Sequence, residues 1–149
     1  MPESQVVKNS TEGKFLRVVG DTVRVLAAGE DTGGTYELFE FQSPRDGGPP
    51  LHAHPWTEAY LMLDGEIEVT IGDSKINATA GCFLNIPAGT LHAHRILSEG
   101  AKFIVISNPV GAMDFYTDMD REVGESVEEV EKIIGIALRH GFNVPPPPA

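Results

Sequence analysis

The sequence contains a single cysteine, Cys82, so no disulfide can form within the chain and nothing in it requires an oxidising compartment. Cys82 lies in an apolar run and is expected to be buried as a small hydrophobic side chain. No apolar run approaches the roughly 18 residues that span a membrane. The first residues lack the basic and apolar regions of a signal peptide, so a cytoplasmic location is expected.

Basic residues are also few. The 149 residues include 11 lysines and arginines against 22 aspartates and glutamates, which gives a net charge of −11. Nucleic acids and anionic membranes are bound through basic surfaces, so neither is an expected partner. The hydrophobic fraction of 41% is ordinary for a globular protein. The length fits one domain, 1–149, with its own core.

Most of the chain is predicted to form short β-strands. Between about residues 15 and 110, runs rich in β-branched and aromatic residues alternate with Gly, Pro and Asp turn residues. Asp64-Gly65 is a strong hairpin signal between two such runs. The segments between the runs are too short for crossover helices, so an antiparallel sandwich or barrel is predicted. The predicted strands cover residues 22–26, 35–41, 58–63, 66–71, 75–78, 82–86, 91–97 and 102–107.

A helical extension is predicted at about 111–140. Ser126 and Glu129 have the spacing of a capping box, and Gly141 stands where a helix would stop. These signals predict a helix at about 127–140, after a shorter one over 113–119. Its apolar stripe is expected to pack on the barrel and help close its mouth, in preference to binding a partner. The stripe consists of Val127, Val130, Ile133, Ile134, Ala137 and Leu138. Residues 141–149 are predicted to be a Pro-rich tail, in which Pro145–Pro148 adopt the polyproline II conformation.

Histidine is rare, yet four of the five histidines fall in two short clusters, His52/His54 and His92/His94. On a β-strand, residues i and i+2 face the same way about 6.6–7 Å apart, so two imidazoles can converge on one ion. Glu58 would add a carboxylate and His92 a third imidazole, leaving positions for water or substrate. The alternative is a set of polar loop residues. Two clusters beside a glutamate favour the metal site.

The spacing of these residues resembles the first motif of the cupin superfamily, Gly-x5-His-x-His-x3–4-Glu-x6-Gly. His52, His54, Glu58 and Gly65 match it in register. The opening glycine of the motif falls on Asp46, which is a departure from the pattern.

The second motif of the same superfamily, Gly-x5-Pro-x-Gly-x2-His-x3-Asn, is also present. Gly81, Pro87, Gly89 and His92 match it, and its final Asn falls on Ile96. The resemblance covers about residues 30–110. It implies an all-β fold, a cupin jelly-roll β-barrel with a C-terminal α-helical extension.

The resemblance also implies a site and an activity. The metal ligands would be His52, His54, Glu58 and His92, inside the barrel. Further features resemble the single-domain quercetin-dioxygenase-like group: the Gly-Gly-Pro-Pro run at 47–50, the segment 111–116 after the last strand, and a C-terminal helix followed by 141–144. We expect one divalent transition metal. These ligands suit iron, manganese, nickel, cobalt, copper and zinc alike, so geometry and metal availability decide, and iron, manganese or nickel is favoured.

The leading hypothesis is a metal-dependent dioxygenase of the quercetinase-like sort, acting on a small hydroxylated aromatic or enol substrate. Glu58 would ligate the metal or act as the catalytic general base. The alternatives are a metal-dependent isomerase, epimerase or cyclase that uses no O₂, and a non-catalytic small-molecule binding or sensing module. A homodimer is expected from the resemblance and because a jelly roll has sheet edges and an apolar outer face.

The sequence also predicts where four residues near the candidate ligands lie. Alternation places His94 on the same wall as His92, where it either contacts the site or is a hydrogen-bonded core histidine. Trp56 either lines the mouth or packs on the surface. Tyr60 and Met62 share the parity of Glu58 and are expected to wall the cavity.

Overall fold

The computed structural model describes residues 5–146. Within them a short 3-10 turn, Gly29–Asp31, follows the second strand, and two α-helices follow the last strand. The strands are β1 (Lys14–Val18), β2 (Asp21–Ala27), β3 (Glu37–Pro44), β4 (Thr57–Asp64), β5 (Ile67–Ile71), β6 (Ser74–Ala78), β7 (Phe83–Ile86), β8 (His92–Ile96) and β9 (Gly100–Asn108). The helices are α1 (Ala112–Glu122) and α2 (Val130–Arg139).

The strands form two antiparallel sheets around one core. The larger has the order β1-β2-β3-β9-β4-β7 and the smaller the order β6-β5-β8. β9 lies between β3 and β4, so strands distant in sequence are neighbours, as in a jelly roll. This arrangement confirms the predicted all-β jelly roll with a C-terminal helical extension.

The core lies between the sheets because burial alternates along the strands. On β9, Phe103 and Val105 are buried while Ile106 faces outward. Phe103 stacks on Phe41 with ring centroids 5.4 Å apart. Tyr116 of α1 meets Phe41 edge-on at the same separation, so α1 docks on the barrel through an aromatic cluster.

Backbone conformation explains one match to the first motif and one departure from it. Gly65 has φ +88°, and a Cβ there would lie 2.5 Å from the carbonyl oxygen of Gly100, so a glycine is required. Asp46 has φ +65°. Aspartate is among the residues that tolerate the left-handed region. Its amide donates to the carbonyl of Ile96 at 2.9 Å, so the turn keeps its shape without the motif's glycine.

The start of α1 is capped by a side chain from the barrel. Glu37, buried at the beginning of β3, accepts hydrogen bonds from the amides of Gly111, Ala112 and Met113 at 3.0, 3.0 and 3.3 Å. The first amides of a helix have no partner within it and favour a negative charge. Glu37 therefore fixes the helical extension to the end of the barrel nearest Glu58.

The predicted start of α2 is wrong. The helix begins at Val130 rather than 127, and no side chain caps it. The hydroxyl of Ser126 instead accepts a hydrogen bond from the amide of Glu128, 3.3 Å away. Such a local serine turn competes with helix formation, so the capping box does not form. The predicted stop at Gly141 is confirmed, since α2 ends at Arg139 and Gly141 has φ +84°.

The predicted packing face of α2 is wrong in part: Ala137 and Ile133 of the predicted stripe do pack against the core, but the stripe omits the buried Ile136. Ile136 and Ala137 are 2% and 6% exposed and form the buried face. Salt bridges from Arg139 and His140 to Asp118 of α1 hold the helix in this rotation. Four residues of the predicted stripe are exposed instead: Val127, Val130, Ile134 and Leu138.

The structure also bears on the predictions for Cys82 and for the C-terminal tail. Cys82 is only half-buried, at the margin of the core. In the predicted tail, Asn143 pairs with Ala53, and Phe142 and Val144 pack against the core, whereas 147–149 are outside the described residues. No helix in the described part of the chain is long and apolar enough to cross a membrane.

Candidate metal centre

The two motif segments are joined by backbone hydrogen bonds at the candidate site. The amide of His52 donates to the carbonyl of His92 at 3.0 Å, and the amide of His92 donates to the carbonyl of His52 at 2.9 Å. The amide of Gly89 donates to the carbonyl of His54 at 2.9 Å. The turn before β8 and the segment before β4 are thereby held side by side, so their histidine side chains meet.

Three imidazoles converge inside the barrel. Candidate ligand nitrogens of His52, His54 and His92 all lie within 4.8 Å of one another, and the three side chains are buried. The ring centroids of His52 and His92 are 4.2 Å apart. The predicted convergence of these three histidines is therefore present in the structure, as a group that could hold a metal.

Hydrogen bonds fix which ring nitrogen faces the centre. In each ring Nδ1 donates to a backbone carbonyl: His52 to Pro50 at 2.8 Å, His54 to Trp56 at 2.9 Å, and His92 to Thr90 at 2.8 Å. Because a carbonyl can only accept, the proton is assigned to Nδ1, and a neutral ring carries its lone pair on Nε2. Metal-ligating histidines are commonly oriented in this way.

Glu58, on β4, places a buried carboxylate beside two of the rings. Its Oε2 lies 2.7 Å from Nε2 of His54 and 3.6 Å from Nε2 of His92. Two donors that share one ion at right angles, each roughly 2.0–2.2 Å from it, are about 3 Å apart. The separations around Glu58 are therefore compatible with a common ion.

The electrostatics of the site favour a cation. Burial and the neighbouring His92 lower the pKa of His52 to about 4, so this ring is neutral at neutral pH. Burial alone would raise the pKa of Glu58, but the adjacent imidazoles of His54 and His92 outweigh it, and the pKa lies well below its usual range. Burial lowers the pKa of His92, but the adjacent Glu58 carboxylate raises it by more, so the pKa of this ring lies above its usual value. Metal binding requires neutral imidazoles and an ionised carboxylate, so an ion would displace the proton of His92.

One buried atom provides a direct test of whether a metal fits. Nε2 of His92 is buried and has no hydrogen-bond partner within residues 5–146. An unsatisfied buried polar atom costs about 1–3 kcal/mol, and coordination would remove that penalty. The donor set contains no thiolate, which fits an open metal site better than a structural zinc site. The residues present therefore fit a divalent transition metal.

Aromatic and polar neighbours surround the three rings. Trp56 is buried and stacks on His54, with centroids 4.6 Å apart and planes 13° from parallel, so it lines the centre rather than the surface. Tyr60 and Met62 are buried, as alternation predicts. His94 is buried on the same wall as His92 but outside the three-histidine group. Its Nδ1 lies 3.5 Å from the hydroxyl of Tyr60.

Phe142 is a site residue that the sequence did not identify. Its ring lies over His52 with centroids 5.6 Å apart and planes 17° from parallel, and it meets His54 at 5.3 Å. The usable signal is its position directly after the helix-ending Gly141, where an apolar residue commonly packs back on the helix. That signal does not predict contact with the histidines.

The fold and the site together define the class: an antiparallel jelly roll whose two motif segments bring three histidines and a glutamate together. Residues 39–107 match the model of the cupin domain family, which confirms the resemblance of this part of the chain to the cupins.

Known proteins extend this comparison. The chain is 32% identical over 96 residues to quercetin 2,3-dioxygenase of Bacillus subtilis (strain 168). This alignment covers 64% of the chain and 28% of the relative. An RmlC-like cupin from Shewanella frigidimarina NCIMB 400 superposes with a TM-score of 0.64 at 16% identity, covering 74% of this chain and 96% of that one. The polyketide cyclase RemF of Streptomyces resistomycificus gives a TM-score of 0.61 at 23% identity, covering 70% and 79%. These two solved structures are similar to the chain in fold.

Proposed function

We propose that this protein is a metal-dependent dioxygenase that acts on a small hydroxylated aromatic or enol substrate. The observation that carries the proposal is the inward-facing Nε2 atoms of His52, His54 and His92 beside the buried carboxylate of Glu58. The 32% identity to a quercetin 2,3-dioxygenase supports the reaction type. That alignment covers 28% of the relative, so the similarity concerns only part of that protein.

Each residue of the candidate centre has its own role in the proposed function. His52, His54 and His92 would hold the ion through Nε2, and Glu58 would be the fourth ligand. When bound, the ion supplies a Lewis-acid or redox centre on the inner wall of the barrel. Trp56 offers a flat apolar surface beside His54, which suits a planar ring.

Glu58 is also the candidate catalytic base. Its carboxylate is ionised across the neutral range, because its pKa lies below the usual value. A general base must lie roughly 2.6–3.2 Å from the proton that it removes. A substrate hydroxyl that enters beside His54 would reach Oε2 of Glu58, which already lies 2.7 Å from Nε2 of that ring. Glu58 would accept the hydroxyl proton and leave a more electron-rich substrate anion.

Oxygen uptake tests the proposal. Protein reconstituted separately with Fe²⁺, Mn²⁺ or Ni²⁺ would be screened against flavonols, catechols and diketones in air and under strict anaerobiosis. We expect oxygen consumption with at least one of these substrates, and no turnover without O₂. Equal turnover in both atmospheres would replace the dioxygenase with a metal-dependent isomerase, epimerase or cyclase. Stoichiometric ligand binding without turnover in air would replace it with a binding module.

Two variants control the screen: one lacks a candidate metal ligand, and the other keeps all of them. His54→Ala removes one candidate ligand, and His140→Ala removes the histidine that lies outside both clusters. We expect oxygen uptake to disappear in the first variant and to persist in the second. Uptake that survives in His54→Ala would show that adventitious metal is responsible.

A further inference from the structure

The candidate centre is closed, and Phe142 contributes directly to its closure. His52, His54 and His92 are 8%, 4% and 1% exposed. Phe142 lies over the first two of these rings, as described above, and its centroid is 5.4 Å from that of Trp56. The three rings therefore offer a substrate little open surface unless Phe142 moves.

The segment that carries Phe142 is weakly attached to the barrel. Ala53 and Asn143 exchange two backbone hydrogen bonds, each of 2.9 Å. Within the described residues, these are the only hydrogen bonds between 142–146 and the barrel. By contrast, β4 is paired on both sides, with β7 and β9. Segments with few hydrogen bonds open at lower free energy than paired strands do, so residues 141–146 are displaced more easily than β4.

The junction with α2 provides a hinge. The amides of Gly141 and Phe142 donate to the carbonyls of Leu138 and Ala137 at 3.1 and 3.0 Å, which ends the helix with a Schellman motif. Gly141 has φ +84°, a conformation that other residues adopt rarely. Movement of Phe142 breaks only one of these two bonds, so α2 can stay docked through Asp118.

We propose that residues 141–146 form a movable cover over the metal centre, and that Phe142 is the residue that controls which substrates enter. The proposal rests on the proposed function for its substrate. The ring of Phe142 occupies the place of a substrate ring against His52, His54 and Trp56. A planar aromatic substrate would take over these contacts when Phe142 leaves, whereas a small polar molecule would leave the exposed apolar surface uncompensated.

The sole tryptophan, Trp56, reports on the cover without any need for metal or turnover. In metal-free protein, acrylamide quenching of its fluorescence would be compared between the wild type and Phe142→Ala. The matched control is Phe15→Ala, because Phe15 is 50% exposed on β1, away from the cover. We expect the quenching constant to rise at least threefold in Phe142→Ala and to stay unchanged in Phe15→Ala. Equal quenching in wild type and Phe142→Ala would overturn the proposal.

A disulfide lock keeps the proposal testable if Phe142→Ala fails to fold. Ala53 and Asn143 exchange both hydrogen bonds, so their Cα atoms should be about 5.5 Å apart, within the disulfide range of roughly 4.4–6.8 Å. The lock is Ala53→Cys with Asn143→Cys, in a background of Cys82→Ala. With Co²⁺ as the probe ion, we expect EDTA to strip the oxidised protein at least tenfold more slowly than the reduced protein. Equal rates in the two states would refute a movable cover.

The same lock tests the substrate class. Quercetin binding to the Co²⁺-loaded protein should be at least tenfold weaker in the oxidised state than in the reduced state, because a closed population lowers apparent affinity. Equal affinity in both states would contradict the role of Phe142 in substrate entry. If neither state binds quercetin, the flavonol substrate of the proposed function is refuted, while acrylamide quenching and metal loss still decide whether the cover moves.

Discussion

Asp21 gives the protein a stability that depends on pH in an unusual direction. This first residue of β2 is buried, and its Oδ1 has no hydrogen-bond partner within the described residues. Burial raises the pKa of Asp21 from its ordinary 3.8 to about 7, against a smaller opposing effect of the Ser43 hydroxyl. The folded protein therefore keeps a proton on Asp21 that the unfolded chain has already lost at pH 5.

The direction follows from proton linkage. A folded pKa above the unfolded value stabilises the protein fully below the unfolded pKa, and this stabilisation is lost as pH rises through the folded pKa. For Asp21 the window runs from 3.8 to about 7. Each pH unit within it is worth about 1.4 kcal/mol, so the free energy of unfolding should lose about 2–3 kcal/mol between pH 5 and pH 7 through this residue.

Urea unfolding of Asp21→Asn measures this contribution. In metal-free protein, the variant should gain about 2–3 kcal/mol on the wild type as the pH rises from 5 to 8, because asparagine never ionises. All other titrating groups are common to both proteins and cancel. The control is Asp73→Asn, which removes a charge from the exposed turn before β6. A difference between Asp21→Asn and wild type that stays constant from pH 5 to pH 8 would refute the reasoning.

Three further predictions concern the site, the helix and the outer sheet face. Fully metallated Glu58→Gln should be about 10²–10⁴-fold slower than wild type, because it lacks the base, and turnover at the wild-type rate would exclude both roles of Glu58. Ile136→Ala should lower the free energy of unfolding by about 2–5 kcal/mol and Leu138→Ala by much less in urea unfolding, and equal losses would contradict the observed rotation of α2. We expect a homodimer by light scattering, formed through the apolar outer face around Leu61 and Phe83. Leu61→Glu should then give a monomer, and a wild-type monomer at micromolar concentration would contradict the expectation.

Strand prediction succeeded wherever local alternation and turn chemistry coincided. The pattern around Asp64-Gly65 predicted β4 and β5 to within about a residue, because the hairpin needs glycine at that position. The hairpin between β1 and β2 was not predicted. Its turn has Val19 at φ +47° before Gly20 at φ +88°, and a β-branched residue rarely adopts such a conformation. Packing against distant parts of the chain stabilises that turn, and the local sequence pattern does not predict it.

The site was predictable where it depends on spacing within a segment. One residue lies between His52 and His54 and three lie between His54 and Glu58, so local geometry brings their side chains together. Phe142 reaches the same site from about ninety residues further along the chain, which no spacing rule covers. The face of α2 was missed for a similar reason: Ile134 and Ile136 are alike in chemistry, and only the contacts with α1 decide which one is buried.

Metal stoichiometry tests the central claim most directly. Protein reconstituted at pH 7 with Fe²⁺, Mn²⁺ or Ni²⁺ and freed of unbound ions would be analysed for metal, alongside His92→Ala and His140→Ala. The three-histidine group predicts one ion per chain in the wild type and in His140→Ala, and far less in His92→Ala. Metal content well below one per chain in the wild type, or undiminished in His92→Ala, would contradict a centre built on His52, His54 and His92.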